Sequence, residues 1–180
     1  GGGQINAWEI SKNLVSRGVK IDMITRNNGK YKDIKVKNLR VIKLGKESSA
    51  ENSLSKISFT LKALFFLLKN KYDLVHAHAF LPGITARLIM VFKGIPSVLT
   101  VHGTSINSNL NGKLSKIIEK FILTQILYSA QITVSRDFLE IKNINKKIMY
   151  IPNGVNPQFL KSLPRTNKLK NTLLFVGRLH

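Results

Sequence analysis

Residues 73–103 read DLVHAHAFLPGITARLIMVFKGIPSVLTVHG. The segment 73–78 is short and apolar at its centre, which suits a buried strand. Pro82 and Gly83 lead into a helical stretch that runs through Phe92. Gly94 and Pro96 break that helix, as residues that end helices do. Residues 97–101 (SVLTV) then form a second short strand rich in β-branched side chains. Two strands joined through a helix lie parallel, because a tight hairpin cannot connect them.

The same alternation extends in both directions. Upstream, residues 4–16 read as a helix with Ile5, Trp8, Leu14 and Val15 as its apolar positions, closed by Gly18. Residues 20–25 (KIDMIT) and 40–44 (RVIKL) are strands, and residues 55–69 are a helix whose core, 63–68, is apolar on all sides. Downstream, residues 113–128 form a long amphipathic helix. Then come a strand at 131–135 (QITVS), a short helix and a strand at 147–151. Short apolar strands alternating with helices predict an α/β domain, a doubly wound parallel sheet of the Rossmann type. A glycine loop in such a sheet follows a strand, so Gly1-Gly2-Gly3 implies a first strand ahead of residue 1, missing from this chain. Residues 1–157 are expected to form this domain. Residues 158–171, polar, basic and containing Pro164, are expected to be a linker, and residues 172–180 to start the first strand of a second domain.

Composition narrows the class of function. Twenty-nine Lys and Arg against nine Asp and Glu give a net charge of +20, a field that favours anionic partners. The absence of cysteine removes disulfides and thiolate metal sites and fits a reducing compartment. No stretch reaches the roughly 18 apolar residues of a membrane span. The nine Phe and the single Trp fall mainly at apolar helix and strand positions rather than interleaved with Lys and Arg, so no nucleic-acid partner is expected.

Ligands of such sheets bind beyond the carboxyl ends of the strands. His76, His78 and His102 stand at or next to predicted strand ends, where imidazole can donate, accept or change charge. His76 and His78, two apart, face the same way, and His78 is nearer the terminus. Gly2 and Gly3 open the first helix, where backbone N–H groups can approach a phosphate. Tyr150-Ile151-Pro152-Asn153-Gly154 is a strand followed by an Asn-Gly turn, placed as the floor of a cleft between domains. No D-x-D, no G-x-S-x-G, no paired carboxylates and no metal-ligand spacing occur, so no metal or other cofactor is expected.

In this order, several short blocks together resemble glycosyltransferase family 4, enzymes of the GT-B fold. They are Gly2-Gly3-Gln4-Ile5-Asn6; Arg17-Gly18 followed by residues 21–26; Asp73-Leu74-Val75-His76-Ala77-His78 with Leu81-Pro82-Gly83; Thr100-Val101-His102-Gly103; Val134-Ser135; Ile151-Pro152-Asn153-Gly154; and Phe175-Val176-Gly177-Arg178. The resemblance implies the acceptor-side half of a two-domain, retaining glycosyltransferase that uses a nucleotide-sugar donor without a metal. It implies that His102 lies beside the transferring sugar, as the catalytic residue. Gly2, Gly3 and Arg178 would bind the donor diphosphate, and Asn6, His78, Gly103, Ser135, Asn153 and Gly154 would line the acceptor cleft. The acceptor would be a carbohydrate, lipid-linked or phosphorylated. The family's downstream lysine and E-x7-E segment are not in the chain, so the fragment itself is expected to be inactive. A cytoplasmic enzyme, peripheral at the inner face of the membrane, would bring the helix at 55–71, with its bracketing lysines, to an anionic lipid surface. Two alternatives remain open: another GT-B enzyme such as a nucleotide-sugar epimerase, and a basic module that binds membrane or nucleic acid.

Overall fold

The structure, a computed structural model, describes residues 2–27, 36–47, 53–103 and 113–155. Four helices and six strands alternate among them: α1 Gly2–Val15, β1 Ile21–Arg26, β2 Leu39–Leu44, α2 Ser53–Lys69, β3 Val75–His78, α3 Phe80–Lys93, β4 Ser97–Val101, α4 Lys113–Thr124, β5 Ala130–Thr133 and β6 Ile148–Tyr150, with a 3₁₀ turn at Arg136–Glu140. Every strand pairing is parallel, as the alternation predicts. The expected linker and second-domain strand lie outside the described residues.

Among the described residues the strands fall into two sheets: β1 pairs with β2, while β3, β4, β5 and β6 follow one another in a four-stranded sheet. The two are tied by packing instead of a ladder. Ile24 from β1 and Val75 from β3 pack on one cluster with Leu67, Ile89 and Ile95. Asp22 on β1 accepts both a bidentate pair from Arg40 of β2 and the hydroxyl of Tyr72, just ahead of β3. The Arg40 guanidinium holds the Asp22 carboxyl below its usual range, although burial pushes the other way.

Helices α2, α3 and α4 form one layer, with α3 in contact with both neighbours. Helices α3 and α4 meet the sheet in a core of Ala77, Ala86, Leu99, Val101, Leu123, Tyr128 and Phe138, while α2 packs through Leu67 in the cluster with Ile89 and Ile95. Gly83 in α3 is bare for a packing reason. A Cβ there would stand 2.9 Å from the Tyr128 hydroxyl and 3.2 Å from Leu99 Cδ1. At the end of α2, the last carbonyls lack helical partners. Lys93 of α3 supplies them, donating to Leu67, Leu68 and Asn70.

Three boundaries differ from the sequence reading. Helix α1 begins at Gly2, so Gly2 and Gly3 are helical and not loop residues. Helix α4 ends at Thr124, four residues before the expected Tyr128. The chain turns there because Asn145 takes the Tyr128 N–H and donates to the Ile126 carbonyl, drawing the tyrosine ring into the core. β5 ends at Thr133, where the Thr133 hydroxyl bonds both the carbonyl and the N–H of Ser135 and starts a turn.

Candidate functional site

Parallel strands share one direction, so their carboxyl ends gather along one edge of the sheet. Two histidines of β3 and one just past β4 meet at that edge. Side chains two apart on a strand face the same way, and the His76 and His78 rings lie 4.4 Å apart. The register opposes His78 to Thr100, so His102 arrives beside His78 one step further along. His78 Nδ1 and His102 Nε2 are 2.8 Å apart, and the rings stack with centroids 5.1 Å apart and 15° between planes. Behind them, His76 Nε2 lies 2.7 Å from the Thr100 hydroxyl.

Burial keeps this cluster neutral. Desolvation lowers the His76 pKa to about 4, with His102 adding a little. Desolvation also lowers His78 to about 3, helped by His76 and then His102, and it lowers His102 too. Removing an imidazolium from water costs free energy, and no carboxylate among the described residues offsets that cost.

Helix α1 closes the site from the opposite side. A Cβ on Gly3 would stand 3.0 Å from His102 Cδ2 and 3.1 Å from its Cγ, so the bare glycine is the seat of the imidazole. One turn further along α1, Asn6 donates from Nδ2 to Asn153 Oδ1 at 2.8 Å and so ties the helix to the segment after β6. Two buried polar atoms in this region have no hydrogen-bond partner among the described residues: His102 Nδ1 and Asn6 Oδ1. Buried polar atoms are normally paired, so each leaves a place for a hydrogen-bonding partner beyond the described residues.

The backbone beside the cluster is unusual. Ala79, between His78 and α3, has φ 77° and ψ 165°, a region that is nearly exclusive to glycine. Its N–H donates to the Thr100 carbonyl at 3.1 Å, which pins the bend. Gly103, after His102, has φ 146°.

The sequence-derived candidates therefore separate. Gly3, His78 and His102 are in direct contact, and Asn6 and Asn153 are joined. Gly2 is the first residue of α1, and a Cβ on Gly2, Gly103 or Gly154 would meet open space. Ser135 stands past the end of β5 with its backbone engaged by Thr133. Arg178 lies outside the described residues. Two participants were not singled out from the sequence, Thr100 as the partner of His76 and Ala79; His76 stood out at a strand end but was given no role in the site. Among the described residues no group of three or more His, Cys, Asp or Glu side chains is arranged to hold a metal ion.

A model of glycosyltransferase family 4 matches residues 1–159. The chain belongs to that family. Family-4 membership bears out the resemblance read from residues 2–6, 73–83 and 100–103. The chain is 35% identical over 140 residues to an Escherichia coli protein named UDP-Gal:alpha-D-GlcNAc-diphosphoundecaprenol alpha-1,3-galactosyltransferase, across 70% of this chain and 35% of that protein. The sucrose-phosphate synthase from Thermosynechococcus elongatus superposes with a TM-score of 0.70 at 19% identity, over 88% of this chain and 44% of the synthase. A second structure of that synthase gives 0.64, over 87% of this chain and 88% of that chain. At that identity the likeness establishes the fold alone, a GT-B half with parallel strands. This family-4 chain spans about a third of the curated relative's length.

Proposed function

We propose that the full-length protein is a retaining glycosyltransferase that moves a sugar from a nucleotide-sugar donor to a lipid-linked or phosphorylated acceptor, and that this chain supplies the acceptor-side wall. The observation that carries the reading is the His78–His102–Gly3 contact at the carboxyl edge of the sheet, in a family-4 chain, with His102 Nδ1 and Asn6 Oδ1 left without partners among the described residues. A sugar is dense in hydroxyl donors, and it satisfies such acceptors in a desolvated cleft. His102 positions the transferring sugar. The first turn of α1 at Gly2 directs backbone N–H groups and the positive end of the helix dipole to the donor diphosphate. Arg178 pairs with the same diphosphate through its forked donors. Asn6, Asn153, Gly154, Gly103 and Ser135 line the acceptor side. The relative's printed name, with a UDP-sugar donor and a diphosphoundecaprenol-linked acceptor, supports both substrate classes.

A membrane surface fits an acceptor on a lipid. No described helix is long and apolar enough to cross a bilayer. Helix α2 is two-faced. Ala63 and Leu67 are buried, and Leu64 and Leu68 pack on the core. Leu54, Ile57, Leu61 and Phe65, which fall on one helical face, are exposed, with Lys62 and Lys69 flanking them. The lipid-facing set is therefore this stripe and not the whole apolar run of residues 61–68. Helix α4 repeats the pattern with Leu114, Ile117, Ile118 and Phe121 among Lys113, Lys116 and Lys120. Such helices lie in the interface with lysines at the headgroups, each worth about 1 kcal/mol near an anionic surface.

The test is to incubate the full-length enzyme with a panel of nucleotide sugars and a polyprenyl-diphosphate sugar acceptor, and to follow the product. Transfer with the donor's anomeric configuration kept is expected; no transfer from any donor contradicts the reading. For the surface, co-sedimentation should occur with anionic but not neutral vesicles, and salt or Lys62→Glu with Lys69→Glu should weaken it. Equal indifference to both vesicle types removes the membrane from the account.

A further inference from the structure

The contact between His78 and His102 has one proton to place. Both rings are desolvated, and a neutral imidazole carries a proton on one nitrogen only. The 2.8 Å bond between His78 Nδ1 and His102 Nε2 therefore allows two arrangements. In the first, His78 donates, and His102 must carry its own proton on Nδ1. That would bury an N–H with no acceptor, since His102 Nδ1 is inaccessible and unpartnered among the described residues. In the second, His102 donates from Nε2, and its Nδ1 is a bare lone pair. Orphaned buried donors are rarer than under-satisfied acceptors. The second arrangement also puts both rings in the tautomer that free neutral imidazole side chains favour, with hydrogen on Nε2.

We infer that His78 is a positioning residue: by accepting the Nε2–H of His102 on its own Nδ1 it fixes the tautomer and plane of His102 and leaves its Nδ1 a bare lone pair, which a substrate hydroxyl meets only where bound substrate displaces what now covers that atom. The surroundings hold the acceptor still. β3 and β4 keep His78 opposite Thr100, and the Ala79 N–H, bonded to the Thr100 carbonyl, locks the backbone directly after His78. The ring of His76 backs that of His78 at 4.4 Å and is itself anchored on the Thr100 hydroxyl. From the other side Gly3 supports the ring of His102. With Nε2 engaged, His102 acts as a neutral acceptor that orients a hydroxyl, not as a cation that supports developing negative charge. The substrate half of the statement rests on the transferase reading; the tautomer half does not.

The experiment uses the full-length enzyme labelled with ¹⁵N at histidine and long-range ¹⁵N–¹H correlation near neutral pH. Both rings are expected to be protonated on Nε2 and bare on Nδ1. A His102 protonated on Nδ1, or a cationic ring at either position, overturns the inference. His78→Leu should fold, leave His102 as a mixture of tautomers, and lower kcat about ten- to hundredfold with little change in KM, the scale of loss for a misplaced group. His78→Asn, whose amide oxygen can accept in place of Nδ1, should return His102 to a single tautomer and recover about tenfold in kcat over His78→Leu. Wild-type kcat and an unchanged His102 spectrum in His78→Leu would also overturn it. If the wild-type enzyme transfers no sugar, the transferase reading fails while the spectra still decide the tautomer.

Discussion

Lowering the pH from about 7 to about 5 should destabilise this domain through two particular residues. His76 and His78 titrate at about 4 and about 3 in the folded state, chiefly because they are desolvated, with only neighbouring histidines adding to the effect. In the unfolded chain both return to about 6.5. The folded pKa is the lower one, so the unfolded chain binds more protons across the window between them. Stability from keeping these rings neutral is complete above about pH 6.5 and is lost as pH falls toward about 4 and then 3. At about pH 5 the unfolded imidazoles have taken up their protons, and withholding one costs about 2 kcal/mol per ring, or about 4 kcal/mol for the pair. That is a large part of a domain's usual 5–15 kcal/mol, so about this much loss should be visible. The assay is urea unfolding at several pH values for the wild type and for the double variant His76→Gln with His78→Asn. The wild-type midpoint should fall through this window, and the variant's should fall much less. An equal fall in both would assign the acid sensitivity to self-repulsion of a chain at +20, and a flat wild-type midpoint would refute the burial argument outright.

Two further outcomes follow from the same geometry and from the chain's extent. Gly3→Ala should hold or raise the melting temperature, since alanine favours a helix over glycine by about 1 kcal/mol, yet lower turnover of the full-length enzyme by forcing the His102 ring off its seat at 3.0 Å; unchanged turnover would remove Gly3 from the site. The 180-residue chain alone, which spans about a third of its curated relative, should bind nucleoside diphosphates in calorimetry no tighter than about millimolar, roughly 4 kcal/mol; saturable micromolar binding would place the donor site in this half.

Much of this architecture could be read locally. Strand β4 occupies the predicted residues 97–101, because β-branched residues between Pro96 and a histidine-glycine pair leave little choice. What could not be read depends on partners distant in sequence. The end of α4 is set by Asn145, which takes the Tyr128 N–H from 17 residues away. Nothing local foretells that Gly3 seats His102, that Asn6 meets Asn153 across 147 residues, or that Ala79 takes a glycine-like conformation. The triple glycine invites a loop reading by composition, whereas the helix accommodates Gly2 and Gly3 in its first turn. The histidines stood out one by one as residues at strand ends. Their pairing depends on a strand register that periodicity alone does not supply.

The most direct test of the account is the turnover of the full-length His102→Ala variant beside the wild type, with a melting curve for each. The wild type is expected to transfer sugar and the variant to lose tenfold or more in kcat, a threshold set below the roughly 10²- to 10⁴-fold that a positioned acid–base group typically contributes, with an unchanged melting curve. Near-normal turnover with a normal melting curve would contradict it.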